Sequence, residues 1–104
     1  MTVLIAQHPY YKIERNLSSE GPSTILHNRV LSLYTAKIVT FAREFPLSEV
    51  YDMSYRRMGV EEGLLYLHTN RGVYSYQVHS DPTAFIDTYK MVVKRNVDGD
   101  HGKP

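Results

Sequence analysis

The chain has 104 residues, 42% of them apolar, with nine Tyr, three Phe and no Trp. That is room for one domain around one core. Twelve Lys/Arg against eleven Asp/Glu leave a formal net charge of +1, too near balance for long-range attraction to nucleic acid or an anionic membrane. The absence of Cys excludes a disulfide framework, a thiolate nucleophile and a Cys-ligated zinc, and suits a cytoplasmic protein.

Val3-Leu4-Ile5-Ala6 is too short for a membrane span or a signal-peptide core, and no basic residue precedes it; the chain therefore reads as soluble and without a cleaved signal. Val3-Leu4-Ile5 and Tyr10-Tyr11-Lys12-Ile13 each have strand character. Pro9 has no amide hydrogen for a ladder, which predicts a break near His8-Pro9 or an edge position. Asn16 to Thr24, with three Ser and Gly21-Pro22, reads as a loop. Strand character resumes over Ile25 to Tyr34, bends at Thr35-Ala36 and continues or restarts over Lys37 to Phe41. A helix over Leu26 to Ala42 is the competing reading, which the β-branched and aromatic content disfavours.

Phe45-Pro46-Leu47-Ser48 reads as a turn anchoring an apolar residue on each side of Pro46. Val50 to Tyr55 follows as a strand with Tyr51, Met53 and Tyr55 on one face, and Arg56 to Gly63 as a polar connection. Gly63 to Thr69 and Val73 to Val78 then form a hairpin across Asn70-Arg71-Gly72. A three-residue loop would mix apolar and polar side chains on both faces. An even loop, pairing Leu67 with Tyr76 and Leu65 with Val78, gathers Leu65, Leu67, Tyr74, Tyr76 and Val78 on one face, and the hydrophobic pattern selects it. Asp81 is a good N-cap, and Pro82 suits the first helical position. The helix is predicted over 81–95, with Phe85, Ile86, Tyr89, Val92 and Val93 as its apolar stripe and Asn96 as C-cap. One domain over 1–97 and a flexible tail over 98–104 complete the expected organisation.

Phe45-Pro46-Leu47-Ser48-Glu49-Val50, Leu67-His68-Thr69 leading through Gly72, and Asp81-Pro82 leading to Phe85-Ile86 resemble the bacterial pleckstrin-homology-like domains. The resemblance covers Phe45 to Arg95, about half the chain. It implies an antiparallel sandwich or partly open barrel of about six to seven strands, two near-orthogonal sheets closed by one C-terminal helix. Relatives that hold phosphoinositides place Lys and Arg in the first strand–strand loop; the corresponding Asn16 to Thr24 has Glu20 and neither. The family name carries fold further than function.

No catalytic constellation stands out. The five His (His8, His27, His68, His79, His101) lack metal-ligand spacing, although His68 and His79 are placed to meet across the hairpin near Asp81. Ser18, Ser19 and Ser23 lie in no nucleophile elbow, no Gly-rich phosphate loop occurs, and adjacent Glu61-Glu62 reads as solvation of a turn. The Tyr-rich strands read as core and rim packing rather than a stacking track for single strands. The best cationic cluster is Arg56 and Arg57 with Arg43 and Arg71, which would hold an acidic peptide or phosphate if the loops share one end of the sheet. The expectation is therefore a non-enzymatic interaction module without cofactor or metal, binding a protein or assembling with itself. The alternative is binding of an anionic lipid headgroup or phosphate ligand through those arginines; nucleic acid is not expected, and membrane contact is not favoured.

Overall fold

A computed structural model describes the backbone of residues 3–101 and the side chains of residues 3–95. The elements are β1 (Leu4–Ser18), β2 (Gly21–Tyr34), β3 (Lys37–Val39), β4 (Glu44–Pro46), a 3-10 turn (Leu47–Glu49), β5 (Val50–Gly59), β6 (Glu62–Thr69), β7 (Gly72–Val78) and α1 (Thr83–His101). All pairings are antiparallel, in the order β4-β3-β2-β1-β7-β6-β5, and the ends do not meet to close a barrel. The fold is thus mostly β with one C-terminal helix, an open arrangement of seven strands as expected, but the strands are hydrogen-bonded in a single sheet rather than in the two near-orthogonal sheets that the resemblance implies. Among the described residues no helix is long and apolar enough to cross a membrane.

Alternation builds the core. Leu31 and Leu33 of β2, Leu65 and Leu67 of β6 and Val78 of β7 are fully buried, each set spaced by two. Full burial of one such side chain contributes roughly 1.5–3 kcal/mol. Phe45 and Leu47 flank Pro46 and both point into this core, as expected of that turn. Phe85, Ile86 and Tyr89 of α1 cover it, with α1 packed on β1 and β5 and the Tyr89 hydroxyl donating to the Val50 carbonyl at 3.0 Å. Asp81 is the N-cap: its Oδ1 accepts from the Thr83 amide at 2.8 Å and from the Thr83 hydroxyl. These bonds hold the Asp81 carboxyl below its ordinary value. The first helical bond runs from the Ile86 amide to the Pro82 carbonyl at 2.9 Å.

Several local expectations are corrected. β1 is one strand through His8-Pro9, because β7 pairs with it only at Tyr11–Gln77 and leaves that edge open at Pro9. Asn16 to Thr24 is not a loop: only Ser19-Glu20 turn, and both strands run to the tip, with Gly21 at φ +111. The connection after Arg56 is equally short, β5 reaching Gly59 and β6 starting at Glu62 around Glu61 at φ 56. In β5, Val50 and Met53 are both buried at a spacing that a regular strand would send to opposite faces. A bulge between Val50 and Asp52 supplies the extra residue and turns Tyr51, 68% exposed, out to water.

The β6–β7 hairpin has the expected even loop but a different register. Its turn is Asn70-Arg71, with Gly72 at φ +123, and Leu67 opposes Tyr74 while Leu65 opposes Tyr76. The shift is two residues, equal to the side-chain period, so the faces sort as expected. α1 runs to His101, past the expected end at Arg95, so Asn96 lies within the helix and is not its C-cap. Residues 98–101 of the expected tail continue the helix; residues 102–104 lie outside the described residues.

Candidate functional site

The β1–β2 hairpin leaves the sheet. Beyond Tyr11–Gln77, β1 has no neighbour on its outer side, and β3 pairs only with Ser32 and Leu33 of β2. Residues 12–28 therefore form a two-stranded arm, about 23 Å from base to tip at the usual strand rise, and none of its residues is buried. The molecule measures 67 × 27 × 24 Å with a radius of gyration of 16.2 Å, against about 13 Å for a compact chain of this length.

The arm is amphipathic by register. Cross-strand pairs share a face, and Pro9–Val30, Ile13–Leu26 and Leu17–Pro22 recur every four residues on the same one. Tyr11–Asn28 and Arg15–Thr24 separate them. The opposite face carries Lys12–His27, Glu14–Ile25 and Asn16–Ser23, with His27 Nε2 and Glu14 Oε1 at 2.9 Å. That bond holds the Glu14 carboxyl below its ordinary value. Leu17 at the tip is 88% exposed. At the base of the apolar face, Pro9, Val30 and His79 line a hollow of about 230 Å³. The His79 ring is stacked on Tyr11 at 3.9 Å and 9° beside it.

A second cavity, about 560 Å³, opens where the arm diverges from β7. The β3–β4 turn forms its rim. Thr40 closes that turn, its amide donating to the Arg43 carbonyl at 2.8 Å and its hydroxyl oxygen accepting from the Arg43 amide at 3.0 Å. The Phe41 amide donates to the Tyr10 hydroxyl at 3.1 Å, tying the turn to β1. The Arg29 guanidinium lies 3.5 Å from the centroid of Phe41 and that of Arg43 lies 4.9 Å from Tyr74. Tyr10 and Tyr76 meet edge to face at 5.1 Å, and burial pushes the Tyr76 phenol up to about 12. Lys12 stands at the mouth, and the cavity lining includes no carboxylate. The buried Nε of Arg29 has no hydrogen-bond partner among the described residues. A donor left so costs about 1–3 kcal/mol.

The four arginines singled out in the sequence are not brought together. Arg57 opposes Gly63 and Arg71 lies two residues past Thr69, at opposite ends of β6. That is about 20 Å of strand. Arg71 Nη2 is taken up by Glu49 Oε1 at 3.1 Å, and Arg57 Nε donates to the Gly59 carbonyl at 3.3 Å. Arg56 is exposed on β5 opposite Leu64, and only Arg43 enters the cleft. The hairpin likewise separates His68, opposite Val73, from His79 beyond the far end of β7. His68 Nε2 instead meets the Ser54 hydroxyl at 2.8 Å, and His8 Nε2 meets the Ser80 carbonyl at 3.2 Å. Among the described residues no group of three His, Asp or Glu is placed to hold a metal ion.

Sequence reasoning missed Lys12, Arg29 and Phe41. A signal for Arg29 was present: it is the single Lys, Arg, Asp or Glu in the run Ile25 to Tyr34. Phe41 had none, since its role depends on a turn that brings residues 40–43 against β1. Compared with protein-family models, curated proteins and solved structures, the chain matches none.

Proposed function

We propose that this protein is a non-enzymatic interaction module that assembles with a second copy of itself through the β1–β2 arm. The observation that carries the reading is the symmetry of the arm's apolar face. The pairs Pro9–Val30, Ile13–Leu26 and Leu17–Pro22 are evenly spaced about Ile13–Leu26. Two arms laid antiparallel about a two-fold axis through that pair bring Leu17–Pro22 of each onto Pro9–Val30 of the other. The polar rungs then also match, Arg15–Thr24 lying over the exposed Asn28 of the Tyr11–Asn28 rung. The exposed Leu17 side chain meets the hollow beside Pro9, Val30 and His79. The near-zero net charge keeps repulsion between copies low.

The seven-stranded sheet with its closing helix is compatible with a pleckstrin-homology-like domain, which we propose as the scaffold; the long arm is the departure from it. A ribbon face of this size buries less than the ~1,200–2,000 Å² of a standard interface, so association is concentration-dependent in the micromolar range. Sedimentation velocity across a concentration series is the test. The native chain dimerises, whereas Leu17→Asp, at a position with no packing role in the folded chain, is monomeric with an unchanged circular dichroism spectrum. A native chain that stays monomeric at its highest soluble concentration, or a dimer indifferent to Leu17→Asp, refutes the reading.

A further inference from the structure

We propose that the cleft between the arm and β7 binds a small organic dianion that bears both a phosphate monoester and a planar aromatic ring, as a nucleoside monophosphate does. The cleft shares Arg43 with the arginine set singled out in the sequence, and Tyr10 and Arg29 with the hollow at the base of the arm, but it includes none of Ile13, Leu17, Leu26 or Val30 of the arm's apolar face. Three observations carry the proposal.

The first is segregation of charge. The chain as a whole is nearly neutral, yet this cavity gathers Lys12, Arg29 and Arg43 and no acid. The nearest carboxylate along the arm, Glu14, is already engaged by His27. Two or more uncompensated cations converging on one concave site favour a doubly charged partner over a single carboxylate. The second is the unmet donor. Arg29 Nε is buried with no acceptor, while its guanidinium lies against Phe41 and keeps its outward N–H groups in the plane of the fork. Planar forks of this kind suit the paired oxygens of a phosphate.

The third is the rim. Phe41 is 72% exposed, an unusual place for a phenyl ring, and it is held there by the Thr40–Arg43 turn and the bond from its amide to Tyr10. Arg29 covers one ring face. With 72% of Phe41 exposed, the rest of the ring is left to solvent, a ready platform for a flat ring. Tyr76 and Thr40 supply hydroxyls deeper in the cleft. Its volume of about 560 Å³ is enough for one such ligand.

Isothermal titration of the full chain with AMP, ribose 5-phosphate and adenosine tests the proposal, with Phe41→Ala and Arg43→Gln as variants. Both positions are exposed, so the fold survives, and circular dichroism checks that it does. AMP is expected to bind saturably at one site per chain and to weaken with added salt. Phe41→Ala should weaken AMP at least tenfold while leaving ribose 5-phosphate unchanged. Arg43→Gln should weaken both phosphates at least tenfold and leave adenosine unchanged. Leu17→Asp, which tests assembly, should bind AMP as the native chain does. No saturable binding of AMP, or AMP binding indifferent to both cleft variants, overturns the proposal. Tighter binding of a dT decamer than of AMP also overturns it, in favour of a nucleic-acid track.

Discussion

The arm and the helix-covered body are built from the same alternating strands and meet opposite ends. In β6, buried and half-buried residues alternate along the strand, because one of its faces lies in the core that also takes in Phe85, Ile86 and Tyr89 of α1. In the outer half of β1 the apolar residues Ile13 and Leu17 also share one face, with Arg15 between them, yet nothing is buried. Alternation makes a ribbon amphipathic; only a cover makes it a core. The body finds its cover in Phe85, Ile86 and Tyr89 of the same chain. The arm has no cover within the chain, which is why its apolar face reads as an interface.

One leucine in each region separates the two by the largest margin. Leu67→Ala, at a fully buried site, should cost about 2–5 kcal/mol in urea unfolding. Leu26→Ala, at a site 49% exposed, should stay within about 0.5 kcal/mol for the monomer. A large loss for Leu26→Ala in dilute solution would mean that the arm is packed after all.

Two glycines sharpen it further. A Cβ at Gly63 would sit 2.5 Å from the Tyr55 ring and 3.0 Å from the Arg56 carbonyl oxygen. Gly63→Ala should therefore cost about 1–3 kcal/mol by overpacking. Gly21 has nothing within 4 Å but a φ of +111. Gly21→Ala should cost about 1 kcal/mol through backbone strain, and hydrogen exchange should show the loss confined to arm amides.

The smallest effect is on pH dependence. Burial pushes the phenols of Tyr76 and Tyr89 up to about 12 from an ordinary 10.0. The unfolded chain releases these protons first, so stability is unaffected well below pH 10 and falls as pH rises from there towards 12. Tyr76→Phe should flatten that slope in urea midpoints measured across the window. The arm contributes nothing to this slope, because neither tyrosine belongs to it.

Much of the fold was legible where local rules and burial agree. Asp81-Pro82 capped the helix as predicted, Phe45 and Leu47 anchored the turn, and the face shared by Leu65, Leu67, Tyr74, Tyr76 and Val78 was readable from parity alone. The outer end of the arm, Asn16 to Thr24, reads as a loop because Ser, Asn, Gly and Pro are turn residues by propensity, and only cross-strand pairing recruits them into a ladder. The arginine cluster was misread because sequence distance across a hairpin does not show which end of a strand a residue occupies. Arg29 and Phe41 lie twelve residues apart, and their contact needs the β2–β3 reversal and the Thr40 turn together.

Strand alternation and the helix start are written in the residue order, since each depends on neighbours within a few residues, and chain length sets the room for one domain. Tertiary structure alone decided the hairpin register, the bulge at Tyr51, the freestanding arm and the cationic cleft. Those depend on which strand lies alongside which and for how long, a balance of burial and pairing between segments distant along the chain.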